Sequence, residues 1–117
     1  MDINTLVQRI LVFRDERDWQ QFHKPNHLAA GISIEAAELL EHFLWKDPEQ
    51  VSALKHDSAK RTAIGEEIAD VLIYGLLLAH EMDLDPAELI QSKLAKNDAK
   101  YPVLKSKGSA AKYTELQ

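Results

Sequence analysis

The chain has no cysteine, so neither a disulfide framework nor a thiolate metal site is available to it. That fits a reducing compartment, and a cytoplasmic protein is expected. No run of lysine and arginine appears, and 19 acidic against 14 basic residues leave a net charge of −5. A duplex-binding module needs many phosphate contacts, so nucleic acid is not an expected partner. The longest apolar stretch, Val71–Ala79, falls far short of the ~20 residues that span a bilayer, so no membrane association is expected. The opening MDINTLVQRI has no basic region followed by an apolar core, and no secretory signal is expected there. No segment alternates with period two between turn signals, which argues against strands.

What is present is the balance of an ordinary globular protein: 117 residues, 45% hydrophobic and 28% charged. The length suits one domain, residues 1–117, with a core modest enough that association would add stability. Helical spacing dominates. A first helix is predicted from about Asn4 to Phe22, with Leu6, Ile10, Phe13 and Arg17 in register and Asp2 or Asn4 as cap. Pro25 interrupts, and a second helix is predicted from His27, capped by Asn26, to about Trp45. Glu49–Asp57 reads as a short helix or turn, and Ser58 is expected to cap a third helix running to about Met82. Asp85-Pro86-Ala87-Glu88 opens a fourth, which ends before Pro102, leaving Val103–Gln117 as an irregular tail. Four helices with short connections predict an all-α four-helix bundle.

Acidic residues sit where apolar ones are expected. Leu28, Ile32, Leu39 and Phe43 form the stripe of the second helix, and at 100° per residue Glu35 falls inside it. Glu38 lies at its edge, and Glu41 follows a turn later. On the third helix, Glu67 borders the face formed by Ile64, Ile68, Val71, Gly75 and Leu78, with Asp70 further toward the rim. If the two helices pack through these faces, Glu35, Glu38, Glu67 and Asp70 converge. Like charges stripped of water repel and raise each other's pKa, a cost that a divalent cation removes. An all-oxygen ligand set suits Mg²⁺ or Mn²⁺ rather than Zn²⁺. One E-x-x-E pair alone is an ordinary solvated helix face; two pairs, each against an apolar stripe, favour a metal site. No Glu is followed by His three residues on, which weakens a di-iron reading.

Lys93, Lys96, Asn97 and Lys100 share one face of the fourth helix, a cationic strip suited to polyphosphate oxygens. A lysine-rich solvated face is the plainer alternative. Trp19, Phe22, Trp45 and Tyr74 are the large aromatics near these elements, and Tyr74 lies one turn beyond Asp70. Rings so placed can stack a base, although core packing is their commoner fate. His23 and His27 flank the start of the second helix.

The strings SIEAAELLEHFLW, EEIADVLIYGLLLA and SKLAKNDAKYPV together resemble the MazG-like all-α nucleoside triphosphate pyrophosphohydrolases, most of all their dCTP-directed branch. The likeness runs from about Trp19 to Tyr113. It implies Mg²⁺-dependent hydrolysis of a nucleoside triphosphate to monophosphate and pyrophosphate. It also implies Glu35, Glu38, Glu67 and Asp70 as metal ligands, and Lys93, Asn97, Lys100 and Tyr101 at the phosphates. Trp19, His23, Trp45 and Tyr74 match the nucleotide pocket. Homodimers or homotetramers with shared sites are implied too. The residues themselves suggest association, since Ile73 and Leu77 are expected to point away from the stripe that packs within the bundle. In the expected reaction water attacks the α-phosphorus, with Glu38, or second Glu35, as base. A dUTP or broad-specificity enzyme, or a non-catalytic nucleotide sensor or scaffold, remains open. So does the role of Lys105, Lys107 and Lys112 in the tail.

Overall fold

The computed structural model describes residues 1–116, which are helical with no strand among them. The chain divides into two compact units, Met1–Asp83 and Leu84–Gln117. No helix among the described residues is long and apolar enough to cross a membrane.

In the first unit α1 spans Ile3–Glu16, and the Asp2 carboxylate accepts from the Thr5 N–H at 2.8 Å. That hydrogen bond also holds the Asp2 carboxyl below its usual range. The helix ends six residues before the predicted limit, Phe22, because Asp18 turns into the left-handed region (φ 53°); a single 3-10 turn, Gln20–Phe22, follows. The Arg17 guanidinium lies 3.7 Å above the Phe13 ring and donates to the Phe13 carbonyl at 2.9 Å, fastening this end.

Helix α2 spans Pro25–Glu41. Proline fills the first turn, where a missing N–H costs nothing, so Lys24 rather than the expected Asn26 is the flanking residue. The helix stops at Glu41, not Trp45. Residues 42–45 form turns, and Trp45 adopts φ 61° so that Asp47 can open α3, Pro48–Leu54. Asp47 and Gln50 make a reciprocal capping box there, which favours a new helix over continuation of the old one. Helix α4, Ser58–Glu81, is capped by Asp57, whose carboxylate accepts from the Lys60 N–H, and not by Ser58.

Helix α2 packs chiefly on α4, and α1 covers α4 alongside it. Val7, Leu11, Leu28 and Leu77 form the core, with Ile10, Tyr74, Leu76 and Leu78 packed against them. Leu77 therefore lies inside the unit and does not face outward as expected. Two helices lie on α4, so it needs two apolar faces within one chain. The stripe read on α1 is corrected too: Val7, Leu11 and Arg14 are its buried face, whereas Leu6 and Phe13 are about half exposed. Arg14 pairs with Glu81 at 3.0 Å and Asp15 at 2.9 Å, which ties the end of α1 to the end of α4.

In the second unit Asp85 caps α5, Pro86–Lys100, by accepting from the Ala87 and Glu88 N–H groups at 2.9 and 3.2 Å. The stretch expected to be an irregular tail holds a short helix α6, Val103–Ser106, a left-handed Gly108, and a 3-10 turn at Tyr113–Glu115. Gln117, the last residue of that expected tail, lies outside the described residues. The Tyr113 ring meets Tyr101 edge-on at 6.1 Å, and the Lys100 ammonium sits 4.8 Å above it.

Among the described residues Leu28 is the one side chain sealed completely, at 1% exposure, between the three long helices of the first unit. Leu28→Ala is expected to destabilise the fold by about 2–5 kcal/mol. Urea unfolding should show it as a lower midpoint at unchanged slope.

Candidate functional site

The antiparallel packing of α2 on α4 follows from three contact levels. Gly31 lies against Tyr74, Glu35 faces Glu67 and Asp70, and Glu38 faces Glu67. Because Glu35 belongs to the packed stripe of α2, its carboxylate is carried into the interface instead of out to water. One oxygen each from Glu35, Glu38 and Glu67 lies within 4.8 Å of the others. Asp70, one turn beyond Glu67, adds its charge to the Glu35 environment from the rim and stands outside that close trio.

The electrostatics are those of anions crowded without counterions. Hydrogen bonding to Glu67 is the main cause that raises the Glu35 pKa, with desolvation and the charges of Asp70 and Glu67 acting in the same direction. Contact with Glu35 raises Glu38 in turn, first by hydrogen bonding and then by charge. Two carboxylates hold such a contact only by sharing a proton or a cation. Oε2 of Glu35 and Oε2 of Glu67 are buried and find no donor. Orphaned, acceptor-only oxygens at this spacing are what a hard divalent cation satisfies, so the residues fit one.

Beside the acids lies a cavity of about 560 Å³, whose lining includes Trp19, His23, Asp70, Ile73 and Tyr74. Phe13 stacks edge-on to Trp19 at 5.8 Å between centroids and helps hold it there. Burial, followed by the charge of Arg14, lowers the His23 pKa, and its buried Nδ1 has no partner. Both effects disfavour the charged imidazole, and a ring nitrogen is left for a ligand. Tyr74 reaches the cavity because Gly31 gives it room: a Cβ at Gly31 would come within 2.8 Å of the ring.

Trp45 does not join this cavity within one chain. It is 98% exposed at the turn after α2. Lys93, Lys96 and Lys100 are exposed on α5 and Asn97 and Tyr101 half-buried, all in the second unit. His27 is exposed, its Nδ1 3.3 Å from the Phe22 carbonyl oxygen. Sequence reasoning missed Arg14 at the cavity wall. Its spacing from Val7 and Leu11 was the available signal, a lone cation on a buried face.

Residues 30–116 match the MazG-like family. The chain belongs to the MazG-like family. This MazG-like chain is 40% identical over 104 residues to dCTP pyrophosphatase 1 of Bos taurus, an alignment covering 89% of this chain and 62% of that one. The corresponding Homo sapiens protein is 38% identical, with 61% of its length covered. The MazG-like chain thus spans about three-fifths of the curated relatives it matches. A pyrophosphatase from Archaeoglobus fulgidus, solved by crystallography, superposes with a TM-score of 0.78 at 41% identity, covering 86% of this chain and 92% of that one.

The signs of the carboxylate shifts predict a pH dependence. A carboxyl whose pKa is higher in the folded than the unfolded chain stabilises the fold below its unfolded value, near 4.5 for Glu35. That contribution is lost as pH rises through the folded value. Without metal, Glu35→Gln should therefore melt above the wild type near pH 7, with the gap closing toward pH 4. Adding Mg²⁺ at pH 7 should raise the wild-type melting temperature and leave the variant unmoved. Gly31→Ala should cost about 1–3 kcal/mol by forcing the Tyr74 ring aside, read as a lower thermal midpoint with a changed tyrosine near-UV signal.

Proposed function

We propose that the chain is one MazG-like domain that hydrolyses a deoxynucleoside triphosphate, dCTP or a modified dCTP by preference, to the monophosphate and pyrophosphate. The observation that carries the reading is the approach of Glu35, Glu38 and Glu67 to within 4.8 Å at the edge of an aromatic cavity. The likeness to proteins named dCTP pyrophosphatase 1 supports the choice of substrate. House-cleaning of the nucleotide pool is the corresponding role.

Glu35, Glu38, Glu67 and Asp70 would hold the cofactor, Mg²⁺ with Mn²⁺ as substitute. A cation bound there supplies Lewis acidity and neutralises phosphate charge. Water attacks the α-phosphorus in line. The new P–O bond forms as the bond from that phosphorus to the bridging oxygen breaks, and pyrophosphate departs with the electron pair. Glu38, or second Glu35, accepts the proton of the water. Trp19 and Tyr74 stack the base, and His23 offers its free ring nitrogen to a base edge. Lys93, Lys96, Asn97, Lys100 and Tyr101, on the second unit, are the candidate phosphate contacts that the family likeness supports.

The reading includes a homodimer or homotetramer in the cytoplasm, without nucleic acid or membrane as partner. Apolar residues left exposed on both long helices, among them Leu40 (57%) and Leu72 (60%), support association. So does Trp45, which reaches a base only if it enters the cavity of a neighbouring subunit.

Released pyrophosphate measured with dCTP and Mg²⁺ tests the activity. Turnover should vanish in Glu38→Gln and Glu67→Gln while helicity by circular dichroism is unchanged. Full activity in both variants refutes the carboxylate assignment. Nucleotide binding without pyrophosphate release in the wild type would make the chain a sensor. Equal rates across the eight common nucleotides would remove the dCTP preference.

A further inference from the structure

A second cleft opens on the other side of the carboxylates. It measures about 390 Å³ and is lined by Glu38, Glu41, His42, Lys46, Lys60 and Glu67. Glu38 and Glu67 are thus members of the close trio and walls of this cleft at once. Facing them are two lysines from separate elements, Lys46 of the turn after α2 and Lys60 of the first turn of α4. Among the described residues neither ammonium forms an ion pair, and the only side-chain ion pairs are those of Arg14. Both ammonium groups therefore keep their hydrogen-bond donors for another anion.

The order of groups along α4 shows which anion fits. Lys60, Glu67, Asp70 and Tyr74 are separated by seven, three and four residues. At 100° per residue they stay within about 80° of one another on one face, over about 21 Å of helix. Read along that face, a cation comes first, then two carboxylates able to hold a metal, then the aromatic cavity. A nucleoside triphosphate has the matching order: polyphosphate end, reacting α-phosphate, base. Antiparallel α2 repeats it from the opposite wall, with Gly31 at the Tyr74 level, Glu35 and Glu38 at the acids, and the Lys46 turn at the Lys60 end.

We propose that Lys46 and Lys60 receive the β- and γ-phosphates of the substrate, and so the departing pyrophosphate, on the face of the carboxylates opposite the base cavity. The inference rests on the triphosphate reading above and adds a phosphate site within the first unit. Bound this way, the bridging oxygen next to the α-phosphorus lies toward the lysines, which stabilise the charge that develops on it as the bond breaks. Base and pyrophosphate then leave from different clefts.

Inorganic pyrophosphate with Mg²⁺ is the probe, titrated calorimetrically into the wild type and into Lys46→Gln, Lys60→Gln, Lys60→Arg and Lys55→Gln. Each Gln variant of the proposed pair should lose about tenfold in affinity, the loss of one hydrogen bond between charged groups. Lys60→Arg should restore most of it. Lys55→Gln, an exposed lysine on a different cleft, should bind as the wild type does. With dCTP, the paired variants should raise KM and lower kcat, while dCMP binds them as it binds the wild type. Unchanged pyrophosphate affinity in both Gln variants, or an equal loss in Lys55→Gln, overturns the proposal. So does a wild type that takes up no pyrophosphate with Mg²⁺. These readouts need no hydrolysis, so a wild type that binds pyrophosphate through the lysines yet leaves dCTP intact would fail the enzymatic reading and not this one.

Discussion

Repulsion between carboxylates inside the α2–α4 interface is the constraint around which the first unit is arranged. Glu35 occupies a position of the α2 stripe that packing alone would give to a leucine, so it enters the interface with Glu67 opposite. The apolar contacts of Leu28, Leu77, Val7 and Leu11 hold the helices together against that repulsion. Hydrophobic burial on one side thus maintains an electrostatically unfavourable arrangement on the other, which a cation relieves. Stability and site are two ends of one helix pair.

The same packing gives the site its direction. Antiparallel α2 and α4 present matched levels, and each level has its own chemistry: ring and glycine, then carboxylates, then ammonium groups. Arg14, locked to Glu81 and Asp15, fixes the end of α1 against α4 and puts a positive charge beside His23. His23 and Asp70 consequently share one cavity, the imidazole beside that guanidinium and the carboxylate on the side of the acidic trio.

Helix type was legible in the sequence because the apolar spacing on α2, α4 and α5 is strong and prolines open α2 and α5; helix number was not, since α3 was read as a short helix or turn and α6 as irregular tail. Convergence of Glu35, Glu38 and Glu67 was legible for the same reason, since a carboxylate inside an apolar stripe has only one direction to point. Boundaries were less so. The end of α1 depends on Asp18 and the end of α2 on Trp45, both non-glycine residues in left-handed conformations that composition does not announce. Which face of α4 is buried was misread at Leu77, because a helix covered by two neighbours has no single stripe. The lysine cleft was invisible to local pattern, as Lys46 and Lys60 are far apart in sequence and meet only through the fold. Lys93 to Tyr101 could be read as one helical face, yet a face says nothing of what it meets.

Gly31 carries a consequence for how such a site diversifies. A single methyl there would shift the Tyr74 ring and reshape the aromatic cavity, although no residue lining that cavity would have been exchanged. The shape of that cavity is therefore adjustable from the helix behind its wall, out of reach of any inventory of contact residues.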